Sequence, residues 1–199
     1  MGTITRSFAN LITASGPSAV ADGTIVNADI NASAAIVNSK LSGVGITEAD
    51  MFRITANFTV ATAGTELTTN WERVDTDGFG KIGTGMSESS GVFTFPSTGV
   101  YLISFNSNYA QTVTDANYVI SSILTTLDNS SYDDSTVTLS AARINDYHIN
   151  FLQFIFNVSS TANRKCKFKM TAQVNTVTAF GNTNNNNTYV SFIRLGDSV

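Results

Sequence analysis

The sequence predicts an all-β fold of two packed antiparallel sheets, and three observations carry that prediction. Short runs of alternating apolar and polar residues follow one another from Thr47 onward, with turn signals between them. No convincing amphipathic helix interrupts them. The stretch Ser90-Gly91-Val92-Phe93-Thr94-Phe95-Pro96-Ser97-Thr98-Gly99-Val100-Tyr101-Leu102-Ile103-Ser104-Phe105 joins two such runs through the turn Pro96-Ser97-Thr98-Gly99. Phe93 and Phe95 share one face of the first run. Tyr101, Ile103 and Phe105 share one face of the second, and Val100 and Leu102 the other. Apolar groups on both faces place this pair of strands between two layers.

The chain has 199 residues, 42% hydrophobic and 13% charged, enough for one well-buried domain and an appendage. Asn, Thr and Ser supply the polarity that charges usually provide. A net charge of −4 argues against a phosphate-binding surface. The alternating Lys165, Lys167 and Lys169 read as one solvated strand face, so nucleic acid is not an expected partner. The single cysteine, Cys166, excludes an intrachain disulfide, and its strand pattern predicts a buried or half-buried thiol. No apolar run reaches the length of a membrane span, so membrane insertion is not expected. Residues 1–7 lack the apolar core of a signal peptide, which predicts synthesis in a cytoplasm without secretion.

Taken in order, residues 1–22 show no clear period and form an arm. Residues 23–48 carry an imperfect repeat in which Ile25, Ile30, Ile36 and Leu41 recur every five or six positions among small and polar residues. Such a seam suits a thin stalk buried between chains, or a linker packed on its own domain. Residues 49–199 hold the β domain, with strands expected at 51–60, 66–74, 81–86, 91–95, 100–109, 118–127, 136–142, 148–158, 165–174 and 189–195. Two packed sheets avoid the long open edges that these strands would leave in one layer.

Residues that could carry catalysis are sparse. His148 is the only histidine and opens an aromatic-rich strand, which suits a structural or surface role. One histidine and one cysteine cannot build a Cys/His metal cluster within a chain. Asp75-Thr76-Asp77-Gly78-Phe79-Gly80 begins like a calcium loop, but Met86 stands at the twelfth position and the segment reads as a turn. Asp128, Asp133 and Asp134 are better grouped for a cation between chains. No catalytic triad, nucleophile elbow or phosphate loop is evident. The expectation is a protein that is not an enzyme, with no cofactor and no assigned metal site.

Two resemblances add to this reading. The segment Asn27-Ala28-Asp29-Ile30, Ala34-Ala35-Ile36 and Ser39-Lys40-Leu41 resembles short stalk elements of tail fibres and other virion proteins of tailed bacteriophages. Phe93, Gly99, Tyr101 and Phe105, in the spacing Phe-x5-Gly-x-Tyr-x3-Phe, resemble the core of the complement-one-q globular head, a relative of the tumour-necrosis-factor jelly roll. The strand Thr188-Tyr189-Val190-Ser191-Phe192-Ile193-Arg194-Leu195 is similar to that family's closing aromatic strand. The pattern departs at Ile103, where the family has Phe, and at Lys81 and Met86. The resemblance implies a ten-stranded jelly-roll sandwich that assembles as a homotrimer, with Phe93, Phe95, Gly99, Tyr101, Phe105, Tyr189 and Phe192 as fold core. The apolar seam of Ile25, Ile30, Ile36 and Leu41 agrees with that assembly, as a stalk that trimerises.

If ten strands alternate in direction from a basal entry, connections 61–65, 87–90, 110–117, 143–147 and 175–188 lie at the far end. Connections 96–98 and 128–135 then lie at the base. The uncharged amides of Asn182, Asn184, Asn185, Asn186 and Asn187, with Asp115 and Asn117, are the expected receptor-binding set, suited to a host-surface glycan or a polar protein surface. The expected function is a bacteriophage virion structural protein, exposed on the particle and anchored to other virion proteins by its arm. A tail fibre for host adhesion leads, and a capsid decoration protein or head fibre is the alternative. A depolymerising enzyme, which needs paired carboxylates in a groove, and a complement-type soluble ligand are more distant readings.

Overall fold

Thirteen β-strands build the part of the chain that the computed structural model describes, residues 45–199. The arm at 1–22 and the stalk positions Ile25, Ile30, Ile36 and Leu41 lie outside the described residues. The strands are β1 (Ala49–Ile54), β2 (Phe58–Val60), β3 (Thr65–Glu66), β4 (Trp71–Arg73), β5 (Ser87–Ser89), β6 (Val92–Thr94) and β7 (Gly99–Gln111). They continue as β8 (Ala116–Thr126), β9 (Asp133–Ala142), β10 (Asp146–Val158), β11 (Lys165–Ala172), β12 (Val177–Ala179) and β13 (Tyr189–Gly196).

All named pairings are antiparallel and fall into two sheets. In the first, β7 is the spine. Its whole length pairs with β10, from Gly99↔Val158 to Gln111↔Asp146. Its other edge is shared by β13 and β12, and the sheet runs on through β1 to β4 and from β12 to β2. The second sheet has the order β5-β6-β11-β8-β9, with β3 added to β11. Both sheets turn their apolar positions inward, which is a jelly-roll sandwich.

Phe93 lies at the centre of that core. The rings of Phe52, Trp71, Phe168 and Phe192 surround it with centroids 5.1–5.4 Å away. Each such pair adds about 0.5–1.5 kcal/mol beyond area burial. Phe95, Tyr101, Phe105 and Phe192 are buried with it, whereas Tyr189 is half-buried and shares the outward side of β13 with Ser191 and Ile193. Gly99 holds φ at 156°, and a Cβ there would strike the Arg194 side chain and the Gly196 carbonyl, so glycine is required where β13 crosses its start.

The ten expected strands become thirteen because two of them split where the chain changes partners, one is lost and two short strands are added. The run 51–60 breaks at Thr55-Ala56-Asn57, where Gly181 packs on the Ala56 backbone, and β1 and β2 then pair with β13 and β12 respectively. The run 66–74 breaks because β3 belongs to β11 and β4 to β1. Trp71 Nε1 donates to the Leu67 carbonyl at 2.7 Å, and Asn70 takes φ 62° to make the crossing. Residues 81–86 form only an isolated bridge, Ala49↔Ile82, since Gly83 and Gly85 adopt positive φ. The short β5 and β12 were not expected from the pattern; each has three residues.

Ala49 pairs with Ile193 and Gly196 with Val100, so residue 45 and the final residues lie at one end, beside the 96–98 turn. The connections 61–65, 112–115, 143–145 and 173–176 lie at the opposite, distal end. The Ser90-Gly91 turn does not reach it. Gly91 packs at mid-height on the backbone of Leu67 and Thr68, because β5 and β6 are too short to extend further.

The inward face of β7 is covered, but its outward face is not. The expectation of two covering layers fails within one chain. Val100 and Leu102 are half-buried, and beside them the outward positions of β10, Tyr147, Ile149, Phe151 and Ile155, are exposed. Phe151 is 52% and Ile155 62% exposed. From Tyr147 to Asn157 the outward side of β10 carries no charge.

Candidate functional site

The distal end holds a cleft of about 320 Å³ between Tyr147, Ile149, Phe180, Asn108 and Asn187. Register builds it. Tyr147 pairs with Ala110, which pairs in turn with Thr178, so the small Ala110 separates two strands that each bring an aromatic ring. The Phe180 N–H donates to the Asn108 carbonyl at 2.9 Å and fixes the second ring just beyond β12. The Tyr147 and Phe180 rings then lean together, centroids 5.7 Å apart and planes at 38°. Tyr147 is 79% exposed, so its ring face is open to a ligand.

The floor is rigid. His148 stacks on Tyr109 at 5.8 Å, and His148 Nε2 accepts the Arg143 N–H at 2.9 Å. The Tyr109 hydroxyl binds Ser140 Oγ and donates to Asn150 Oδ1 at 3.1 Å. Asn150 Nδ2 donates to the Val119 carbonyl at 2.9 Å and to Ser121 Oγ at 3.2 Å, and Ser121 bonds Ser107 at 2.7 Å. This buried chain of polar groups ties β7 and β10 of one sheet to β8 and β9 of the other. Burial pushes the Tyr109 phenol pKa up, so the hydroxyl keeps its proton and donates.

The asparagine-rich segment does not project from the tip. The Asn182 N–H donates to the Ile54 carbonyl at 2.8 Å, and Asn106 Nδ2 donates to the Asn187 carbonyl at 2.8 Å, so the segment folds against the outward side of the first sheet. Asn182 Oδ1 accepts the N–H groups of Asn184 and Asn185 at 2.7 and 3.1 Å. Asn186 Nδ2 reaches Met51 Sδ at 3.6 Å. Asn184 and Asn185 present exposed side chains, and Asn187 joins the cleft. Asp115 and Asn117 lie apart from them, where Asp115 Oδ1 accepts the Ile144 N–H at 2.7 Å and the Asn117 N–H donates to Gln173 Oε1 at 2.5 Å.

Arg53, Glu72 and Asp75 hold the base of the segment. Arg53 is fully buried, its Nη2 lying 2.5 Å from Glu72 and 2.6 Å from Asp75. Thr183 Oγ1 donates to Glu72 Oε2 at 2.9 Å. The 75–80 turn therefore directs Asp75 toward the Arg53 guanidinium. Asp128 is likewise committed, accepting the N–H groups of Ser130 and Ser131 at 2.9 Å each. These bonds, that of Ser131 foremost, hold its carboxyl well below the usual carboxylate range. Asp134 pairs with Lys169 at 2.9 Å.

Sequence reasoning missed Tyr147, Phe180 and Asn108. The available signal was the outward register of β10: with Asn150 and Leu152 inward, Tyr147 must face out. Phe180 gave no such signal, since three-residue β12 shows no period.

No family profile and no curated protein sequence matches the chain. Solved structures do match. Murine APRIL at pH 5.0 superposes with a TM-score of 0.54 at 13% identity, covering 74% of this chain and 98% of that one. Eiger TNF from S. frugiperda superposes with a TM-score of 0.56 at 12% identity, covering 76% and 94%. PRD1 vertex protein P5 is more distant at 0.48 and 18% identity, covering 76% and 99%, and carries no weight here. At these identities the likeness establishes the fold: residues 45–199 form a jelly roll of the tumour-necrosis-factor type.

Proposed function

We propose that this protein is a virion structural protein whose jelly-roll heads assemble as homotrimers and contact the host surface through their distal ends. The observation that carries the reading is the uncharged apolar face formed by Leu102, Ile149, Phe151, Ile155 and Ile193. A monomer leaves it in water, where patches of this kind mark interaction sites. A further copy of the chain is the occupant. The β9–β10 edge presents Val137, Leu139 and Phe151, and the sheet face presents Leu102 and Ile193. Edge against face is a heterologous contact, which closes into a ring when the rotation permits. The phage assignment rests on the stalk resemblance at residues 27–41.

In this reading the head has no enzymatic role, and the Tyr147–Phe180 cleft with Asn108 and Asn187 receives a polar host ligand, a glycan foremost. Aromatic faces suit the apolar side of a sugar ring and amides suit its hydroxyls. Three heads per spike make weak single contacts sufficient. A tail fibre is the favoured placement, and a capsid decoration protein uses the same parts.

The experiment is adsorption of particles carrying Tyr147→Ala with Asn187→Ala. Slower adsorption with an unchanged trimer mass is expected; unchanged adsorption counts against the distal site. Labelled particles imaged by electron microscopy separate tail from shell. A monomer mass for the purified full chain would sink the assembly.

A further inference from the structure

The second sheet carries another, different recess, on the side of the sandwich opposite the apolar face. Three adjacent strands make its floor. Ser87 pairs with Thr94, and Thr94 with Lys165, so two hydroxyls and an ammonium lie side by side on one rung. Phe93 and Cys166 point inward and are fully buried, which turns their neighbours Thr94 and Lys165 outward. Ser89, Val92 and Lys167 form the next outward row. Strands lie about 4.8 Å apart, so one rung spans about 10 Å, the width of a substituted sugar ring. The connection between β8 and β9 folds back over this floor as a wall, with Asn129 and Tyr132 lining a recess of about 430 Å³.

Both rims are held in place. Asp128 accepts two backbone N–H groups and the Thr126 hydroxyl, and Asn129 beside it takes φ 61°. On the other side, Glu88 Oε1 accepts the Gly91 N–H at 2.7 Å, with Ser90 at φ 51° and Gly91 at φ 80°. The charges facing the recess are unequal in their commitments. Lys167 Nζ lies 3.3 Å from Glu66 and 4.3 Å over the Tyr132 ring. Glu88 is turned to its own loop. Lys165 has neither a carboxylate partner nor a side-chain hydrogen bond among the described residues, in a chain of net charge −4.

We propose that this recess binds an acidic sugar, with its carboxylate or phosphate on Lys165 and its hydroxyls on Ser87, Thr94 and Asn129. The ring lies against Val92 and Tyr132. An unpaired half-buried ammonium beside hydroxyl donors and acceptors is the complement of such a group. The site lies on the sheet opposite the apolar face and does not depend on the distal cleft.

Matched sugars test it. The full-length protein is titrated by saturation-transfer NMR with glucuronate, glucose 6-phosphate and glucose, which differ only in the acidic group. Binding of either acidic sugar at least about tenfold tighter than glucose is expected. The carboxylate and phosphate arms identify the source of the charge. Lys165→Gln should remove about tenfold of that affinity, with an unchanged unfolding midpoint. Lys165→Arg should retain most of it, and Tyr147→Ala should leave it unaltered. Glucose binding as tightly as both acids, no binding by any of the three, or full affinity in Lys165→Gln would each overturn the proposal.

Discussion

Arg53 and Glu72 form the most deeply set ion pair in the head, with the guanidinium wholly buried and the carboxylate 2.5 Å from Nη2. The hydrogen bond from Arg53 is the main cause holding the Glu72 carboxyl below its ordinary pKa. A depressed carboxylate pKa contributes stability above the unfolded value of about 4.3 and loses it as pH falls through the folded value. Glu72→Gln should therefore cost about 1–3 kcal/mol at pH 7. The gap from wild type should narrow as pH falls below about 4.3 and through the lower folded value. Urea unfolding at pH 7 and pH 3 measures both. A gap of the same size at both pH values would show that charge is not the origin.

Asn150 is the hub between the sheets, bonded to Tyr109, Ser140, Ser121 and the Val119 carbonyl. Asn150→Ala removes these bonds while Tyr109 keeps Ser140 and Ser121 keeps Ser107, and should cost about 1–3 kcal/mol. The variant should lose more stability than a surface asparagine variant such as Asn184→Ala, which is expected to fall within about 0.5 kcal/mol of wild type. Thermal unfolding of the pair decides it.

Cys166 is fully buried, and burial pushes its thiol pKa up. Neither access nor thiolate is available in the folded head. Ellman's reagent should leave the native protein unlabelled and titrate one thiol per chain in guanidinium, since the chain has a single cysteine. Prompt native labelling would mean that β11 opens locally.

Phe151 and Ile155 stand on the outward side of β10 with no neighbour in their own chain to cover them. Phe151→Lys and Ile155→Lys should each convert the proposed trimer to monomer by light scattering, while circular dichroism stays that of a folded head. An exposed position loses little on substitution, about 0.5 kcal/mol or less. A trimer that survived both changes would move the interface elsewhere.

Much of this architecture was legible in the sequence because long strands declare themselves. In β7, β10 and β11 the period-two pattern runs for eight to thirteen residues, and Phe93, Tyr101, Phe105 and Phe192 fall where alternation puts them. What was not legible lies where the chain changes partners. Trp71 and Leu67 were read as one strand, because the hydrogen bond between them exists only once β3 and β4 have joined different sheets. The candidate site was less legible still. The row of asparagines looked like a loop tip, yet Asn182 caps its own turn and Asn187 faces two rings, Tyr147 and Phe180, that are 33 residues apart in sequence. Composition identifies amides but not which of them the fold has already engaged.

The bare side of β10 also sets how the proposed trimer would respond to its surroundings. A contact made of Ile149, Phe151, Ile155 and Leu102, with no charge among them, is nearly indifferent to ionic strength, because there is nothing for dissolved ions to screen. Its driving force near room temperature is entropic and weakens on chilling. In the proposed trimer this contact therefore holds in brine and loosens in the cold.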